Sequence, residues 1–194
     1  MIAIADTETT GFPKPGDLVQ PGQARVLQLA VLLCDDNGKH MTEFSTLIRL
    51  DKDTQVHPSA EAVHGISWEM CRKYGMDAAM ALRVFYTIVS NARVLVFHNK
   101  KFDMQMINIE SCYTNLVAML PEIFCTMEAT TDLCELPGRY GNYKWPKLSE
   151  ALPILCGKEL GSDAHDAMVD AKGAKDIYFE LVKRGLVDAI SSTV

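Results

Sequence analysis

Apolar residues follow two patterns along this chain. Up to about Leu50 they come in short runs or alternate with polar residues, the period of strands. Ile2–Ala5 is an apolar run ending at Asp6 and reads as a buried strand. Thr7–Gly22, with three prolines and three glycines, reads as a loop. Val26–Cys34 is a second strand, and Asp35-Asp36-Asn37-Gly38 turns the chain, its Asn-Gly pair signalling a two-residue hairpin. Glu43–Leu50 returns with Phe44, Thr46, Ile48 and Leu50 on one face. The opening is therefore an antiparallel meander of three strands.

Helical signals dominate afterwards. Ser59–Val63 and Ser67–Lys73 read as short helices, and Asp77 caps a longer one with Ala78, Ala81, Leu82, Phe85 and Ile88–Val89 at helical spacing. Arg93–Phe97 is a fourth strand, Phe102–Leu120 a helix stopped before Pro121, and Ile123–Thr126 a short fifth strand. Leu148–Leu155 and Ala167–Arg184 are the last helices, the latter stopped by Gly185. Antiparallel strands followed by strands alternating with helices give an α/β fold, a mixed sheet with helices packed on it. No repeat, low-complexity tract or linker interrupts the pattern, so residues 1–194 are expected to form one domain.

Composition narrows the class. Hydrophobic residues at 48% and charged residues at 23% are the balance of a soluble globular protein, and no apolar run reaches the length of a membrane span. Asp6 and Glu8 fall where a signal peptide would need its apolar stretch. The six cysteines show no CxxC or CxxH spacing, which argues against zinc and for reduced thiols in a cytoplasmic protein. A net charge of −6 speaks against nucleic-acid binding, unless several acids gather round divalent cations.

Three segments carry candidate chemistry. In Asp6-Thr7-Glu8-Thr9-Thr10-Gly11, strand geometry puts the Asp6 and Glu8 carboxylates on one face, where they repel unless a cation or proton neutralises them. The bland alternative is a polar strand end in water. His98-Asn99-Lys100-Lys101-Phe102-Asp103 follows a strand directly and sets Asp103 at the first turn of a helix, where an acid is often merely a dipole partner. In His165-Asp166-Ala167-Met168-Val169-Asp170, residues five apart lie roughly 140° apart on a helix. One of the pair must therefore lie off the helix. Gly161-Ser162-Asp163 upstream points to His165, on a loop.

Together, DTETTG at 6–11, HNKKFD at 98–103 and HDAMVD at 165–170 resemble the DEDDh exonucleases, the proofreading-type 3′→5′ family. Val63-His64-Gly65-Ile66 and Lys147-Leu148-Ser149-Glu150 extend the match over nearly the whole chain. The resemblance implies a ribonuclease H-like sheet of three antiparallel strands and then parallel ones, with helices on both faces. It implies that Asp6, Glu8, Asp103 and Asp170 hold two Mg²⁺ or Mn²⁺ ions while His165 takes the proton of the attacking water. Thr9, Thr10, Asn99 and Lys100 become substrate-binding candidates, and His64 a structural residue. The implied partner is nucleic acid with a free 3′ end, single-stranded or frayed, DNA favoured and RNA trimming the alternative, with nucleoside 5′-monophosphates released. Homodimers occur in the family; no membrane is involved. A non-catalytic binding module would need a broken motif residue, and none of the five catalytic positions is broken. The proline-rich loop Phe12–Gln23 is long for this family, and Phe97 and Lys100 stand where small residues are common.

One further segment, Arg139–Lys147, interleaves Arg139, Lys144 and Lys147 with Tyr140, Tyr143 and Trp145 and contains no acid. It reads either as a stacking and phosphate-tracking surface or as a loop whose Trp145 packs on the core.

Overall fold

In the computed structural model, which describes residues 1–161 and 164–187, the two earliest apolar runs form adjacent strands at the centre of a sheet. In chain order the elements are β1 (Ile2–Thr9), β2 (Val26–Cys34), β3 (His40–Leu47), α1 (Pro58–His64), α2 (Trp68–Tyr74), α3 (Ala78–Val89), β4 (Val94–Phe97), α4 (Lys100–Thr114), β5 (Glu122–Cys125), α5 (Thr126–Cys134), α6 (Leu148–Cys156) and α7 (Ala167–Lys183). The sheet order is β3-β2-β1-β4-β5. The β1–β2 and β2–β3 pairs are antiparallel; β4 pairs parallel to both β1 and β5. This is the expected α/β mixed sheet, ribonuclease H-like in architecture.

Alternation along β1 divides its side chains between two cores. Ile2 and Ile4 face α6 and α7, against Leu152, Ala171, Ala174 and Tyr178. Ala3 and Ala5 face α3 and α4, against Leu82, Phe85, Met106 and Ile107. Helices therefore cover both faces, and β2, buried along its whole length, reads as a continuous apolar run.

Several expectations are corrected. β1 continues to Thr9, because β2 pairs with it through Gln28 and Val26, so Thr7–Thr9 are strand and not loop. The β2–β3 connection is not a two-residue hairpin: the Asp35 N–H bonds Lys39 O, and Gly38 takes a positive φ of 82° after a turn closed onto Asp35 O, a three-residue loop with a glycine bulge. β3 spans His40–Leu47; past it Ile48 keeps one bond to β2, its N–H to Leu27 O, and the Arg49 N–H turns to Met76 O. Ile48 and Leu50 consequently enter different cores. The fourth helix ends at Thr114, where Asn115 turns left-handed and the Leu116 N–H returns to Ser111 O. The sequence gives little sign of α5: Thr126, Thr130 and Thr131 are poor helix formers, and the last two turn their hydroxyls back to carbonyls four residues earlier. No helix among the described residues is long and apolar enough to cross a membrane, and all six cysteines are free.

Candidate active site

The site forms where β1 outruns β4. Parallel pairing with β4 stops at Ile4, while β1 continues to Thr9 beside β2 alone. A register shift between Glu8 and Thr9 marks a bulge there, a common device for re-aiming side chains at the rim of a site. Asp6 and Glu8 point to the face that α7 covers, in phase with Ile2 and Ile4.

The edge of β1 left open by β4 is taken by a carboxylate. Asp103, in the first turn of α4 and only 3% exposed, accepts through Oδ1 from the Thr7 backbone N–H at 3.1 Å and the Thr7 hydroxyl at 2.8 Å. The turn that brings it there runs through Asn99, at a positive φ of 87°, a conformation asparagine tolerates better than most residues.

Asp170 arrives on the first turn of α7, and the placement of that helix depends on a residue the motifs do not include. Gln28, near the start of β2 and opposite Glu8, donates to Asp166 Oδ2 at 2.8 Å and accepts from the Ala167 N–H at 3.1 Å. Asp166 is the N-cap, its Oδ1 accepting from the Met168 and Val169 N–H groups. Gln28 thus ties the start of α7 to the strand beside Glu8. Its signal was in the sequence: a lone amide in an otherwise apolar strand, where a buried polar group needs partners. His165 lies off the helix on an exposed turn at φ 71°, and its backbone N–H reaches Asp170 Oδ1 at 3.5 Å. Ser162 and Asp163 lie outside the described residues.

Glu8, His165 and Asp170 offer ligand atoms all within 4.8 Å of one another. Asp6 and Asp103 join them electrostatically. Burial, then Asp103, Asp170 and Glu8, hold the Asp6 carboxyl well above the ordinary carboxylate range. Burial, followed by Asp170 and Asp103, pushes Glu8 up to about 8. Burial also raises Asp103 against the opposing pull of the Thr7 hydrogen bonds, and raises Asp170 against the His165 N–H and ring. Among the described residues, the charged groups that raise Asp6 and Glu8 are other carboxylates. Such a donor set, all hard oxygen with one imidazole beside it and, among the described residues, no lysine or arginine acting on Asp6 or Glu8, fits divalent Mg²⁺ or Mn²⁺.

The candidate substrate residues divide. Thr9 is buried, its hydroxyl bonded to Gly11 O. The Thr10 hydroxyl accepts from the Arg25 N–H at 2.9 Å, so this side chain fastens β1 to β2. Asn99 caps α4 without a side-chain hydrogen bond to it. Lys100 forms an ion pair with Glu128 at 2.8 Å, which occupies its ammonium. His64 Nε2 lies 3.2 Å from Thr9 O and its Nδ1 accepts from the Ile66 N–H, a pattern that fixes a neutral ring bracing the backbone behind Glu8.

A family model described as Exonuclease (RNase_T) matches residues 3–178. An uncharacterized exonuclease of Escherichia phage 186, CP81, is 27% identical over 191 residues, covering 93% of this chain and 87% of that protein. The nuclease domain of 3′hExo, a DEDDh family member bound to rAMP, superposes with a TM-score of 0.72 at 15% identity over 95% of this chain and 92% of its own. E. coli exonuclease I in complex with a dA16 oligonucleotide superposes with a TM-score of 0.75 at 15% identity over 94% of this chain. The chain spans 41% of that exonuclease I.

Proposed function

The chain belongs to the RNase_T exonuclease family, the DEDDh group that its three sequence blocks resemble, and from that premise we propose that it removes nucleotides from the 3′ end of a single-stranded or frayed nucleic acid, releasing nucleoside 5′-monophosphates. The unit proposed is one exonuclease domain over residues 1–194. The observation that carries this reading is the convergence of Asp6, Glu8, Asp103 and Asp170, from three separate elements, with the His165 ring beside Glu8 and no lysine or arginine acting on Asp6 or Glu8 among the described residues.

These four carboxylates are the residues that would hold two Mg²⁺ or Mn²⁺ ions. When bound, such ions acidify the attacking water and stabilise the departing 3′-oxygen. The protein supplies the rest. Asp103 is held in place by Thr7, and Asp170 by the Gln28–Asp166 anchor and the His165 backbone. His165, exposed on its turn, accepts the proton of the attacking water at an imidazole nitrogen; a neutral ring is the competent form. The terminal nucleotide sits beside Glu8 and the Thr9 backbone, which His64 braces from behind.

DNA is the favoured substrate, in keeping with exonuclease I bound to a dA16 oligonucleotide. The rAMP bound to 3′hExo keeps an RNA-trimming role as the second reading. The test is digestion of 5′-labelled DNA and RNA strands of one sequence, with Mg²⁺ and with EDTA, beside a circular single strand. Stepwise shortening from the 3′ end with Mg²⁺ alone, and an intact circle, is expected. Cutting of the circle, or equal rates in EDTA, contradicts the proposal.

A further inference from the structure

The Arg139–Lys147 segment does not bury its aromatic residues. Trp145 is 63% exposed and Tyr140 87%, although Pro146 beside Trp145 is buried. Nor is the segment without order: a bridge joins Pro137 to Tyr143, the Gly138 N–H bonds Asn142 O at 2.7 Å, and the Lys144 N–H bonds Leu136 O at 2.9 Å. Its outgoing arm is fastened to the rim of the site. His98, directly after β4, sets Nε2 3.1 Å from Pro146 O and Nδ1 2.9 Å from the Thr126 hydroxyl. Leu148, two residues beyond Pro146, packs against Gly173 of α7, less than one turn past Asp170. The outgoing arm is therefore anchored on one side to His98, just before α4, and on the other to α7, the helices that carry Asp103 and Asp170. Of its cations, Lys144 is paired with Glu150, whereas neither Arg139 nor Lys147 has an ion pair among the described residues.

Ordered aromatic rings turned to solvent, with unpaired cations beside them, are the chemistry of a single-strand platform: bases stack on the rings and phosphates follow the cations. The position is informative because the chain as a whole carries a net charge of −6 and is poorly suited to hold a polyanion elsewhere. Resting on the exonuclease reading, we infer that this hairpin binds the single-stranded stretch of the substrate upstream of the reacting 3′ end, with Trp145 and Tyr140 stacking on bases and Arg139 and Lys147 contacting phosphates. The site at β1 binds the terminal nucleotide; the hairpin holds the strand that leads to it.

The test compares two substrates, a thymidylate dodecamer and a thymidine dinucleotide too short to reach the hairpin. Trp145→Ala should raise KM for the dodecamer roughly tenfold with kcat little changed, and should leave dinucleotide hydrolysis alone. Trp145→Phe, which keeps a stacking ring, should recover most of the loss. Arg139→Ala or Lys147→Ala should each lower the salt dependence of dodecamer binding by about one phosphate contact. Equal loss on both substrates would mean that the hairpin only shapes the site, and no loss on either would mean that it touches no strand; each result overturns the inference. A separate readout uses the two tryptophans. In a Trp68→Phe background, Trp145 fluorescence should be quenched saturably by the dodecamer, and an unchanged signal overturns the inference even if the protein hydrolyses nothing. Absence of all hydrolysis alongside saturable quenching would count against the exonuclease reading alone.

Discussion

Helix α4 buries two carboxylates seven residues apart, on one face, and the protein treats them in opposite ways. Glu110, 2% exposed, meets a cation from the chain itself: Arg25 donates Nε to Oε1 at 2.7 Å and a second nitrogen to Oε2 at 2.8 Å, and the Val26 N–H adds a third bond. The guanidinium lies 4.0 Å above the Tyr113 ring. Asp103, 3% exposed, meets Thr7 and three further acids, and no cation of the chain among the described residues. One buried charge is closed within the fold and the other is left open. Burial of uncompensated charge is costly, so the open cluster is where the proposed cation would complete the structure, while the closed pair ties the start of β2 to α4.

The largest effect expected from disturbing this contrast is on activity. Asp6→Ala or Asp170→Ala should abolish hydrolysis, since either removes an oxygen donor from the open cluster; near-normal single-turnover rates at millimolar Mg²⁺ would remove the two residues from the site. His165→Ala should slow cleavage roughly 10²–10⁴-fold, the loss of a positioned general base, while a metal titration of the variant remains as in wild type. A variant at full rate but with weakened metal binding would make His165 a ligand instead.

Changes on the closed side act on stability. Glu110→Gln leaves the buried Arg25 with only the exposed Asp51, 3.6 Å away, as counter-charge and should cost about 3 kcal/mol in urea unfolding; a cost under about 1 kcal/mol would show that the pair matters little. His98 is a milder case, closed by neutral partners. Burial holds its imidazole down at about 4, against an ordinary 6.5, and the bond to Pro146 O offsets this only in part. A depressed folded pKa means that the unfolded chain takes up the proton first, so this contribution is complete above about pH 6.5 and is lost as pH falls towards about 4. His98→Gln should flatten the decline of melting temperature between those values. An unaltered slope would assign the acid sensitivity elsewhere.

The open cluster was legible in the sequence and the closed pair was not, for a physical reason. Asp6 with Glu8, Asp103, and His165 with Asp170 each sit in a short block whose spacing carries the geometry. Strand alternation pairs the first two, and the 140° separation forces His165 off its helix. Arg25 and Glu110 are 85 residues apart, and neither has a local pattern that names its partner. Gln28 stood out as one amide in an apolar strand, but only the fold reveals that it anchors Asp166 and hence Asp170. The sheet was readable from its apolar runs. What escaped was decided by tertiary context: the end of β3, the threonine-rich α5, and Trp145, which composition alone left free to face either core or solvent.

Whether the four acids form a cluster completed by a divalent cation can be read from thermal melting of wild type, Asp103→Asn and Glu110→Gln, each after EDTA treatment and again with millimolar Mn²⁺. Ligand linkage predicts a Mn²⁺-dependent rise in the wild-type melting temperature. Asp103→Asn should melt higher than wild type without metal, because one repelling charge is gone, and should gain less from Mn²⁺. Glu110→Gln should melt lower throughout yet keep the wild-type gain. A Mn²⁺ response equal in wild type and Asp103→Asn, or absent from both, would contradict the account.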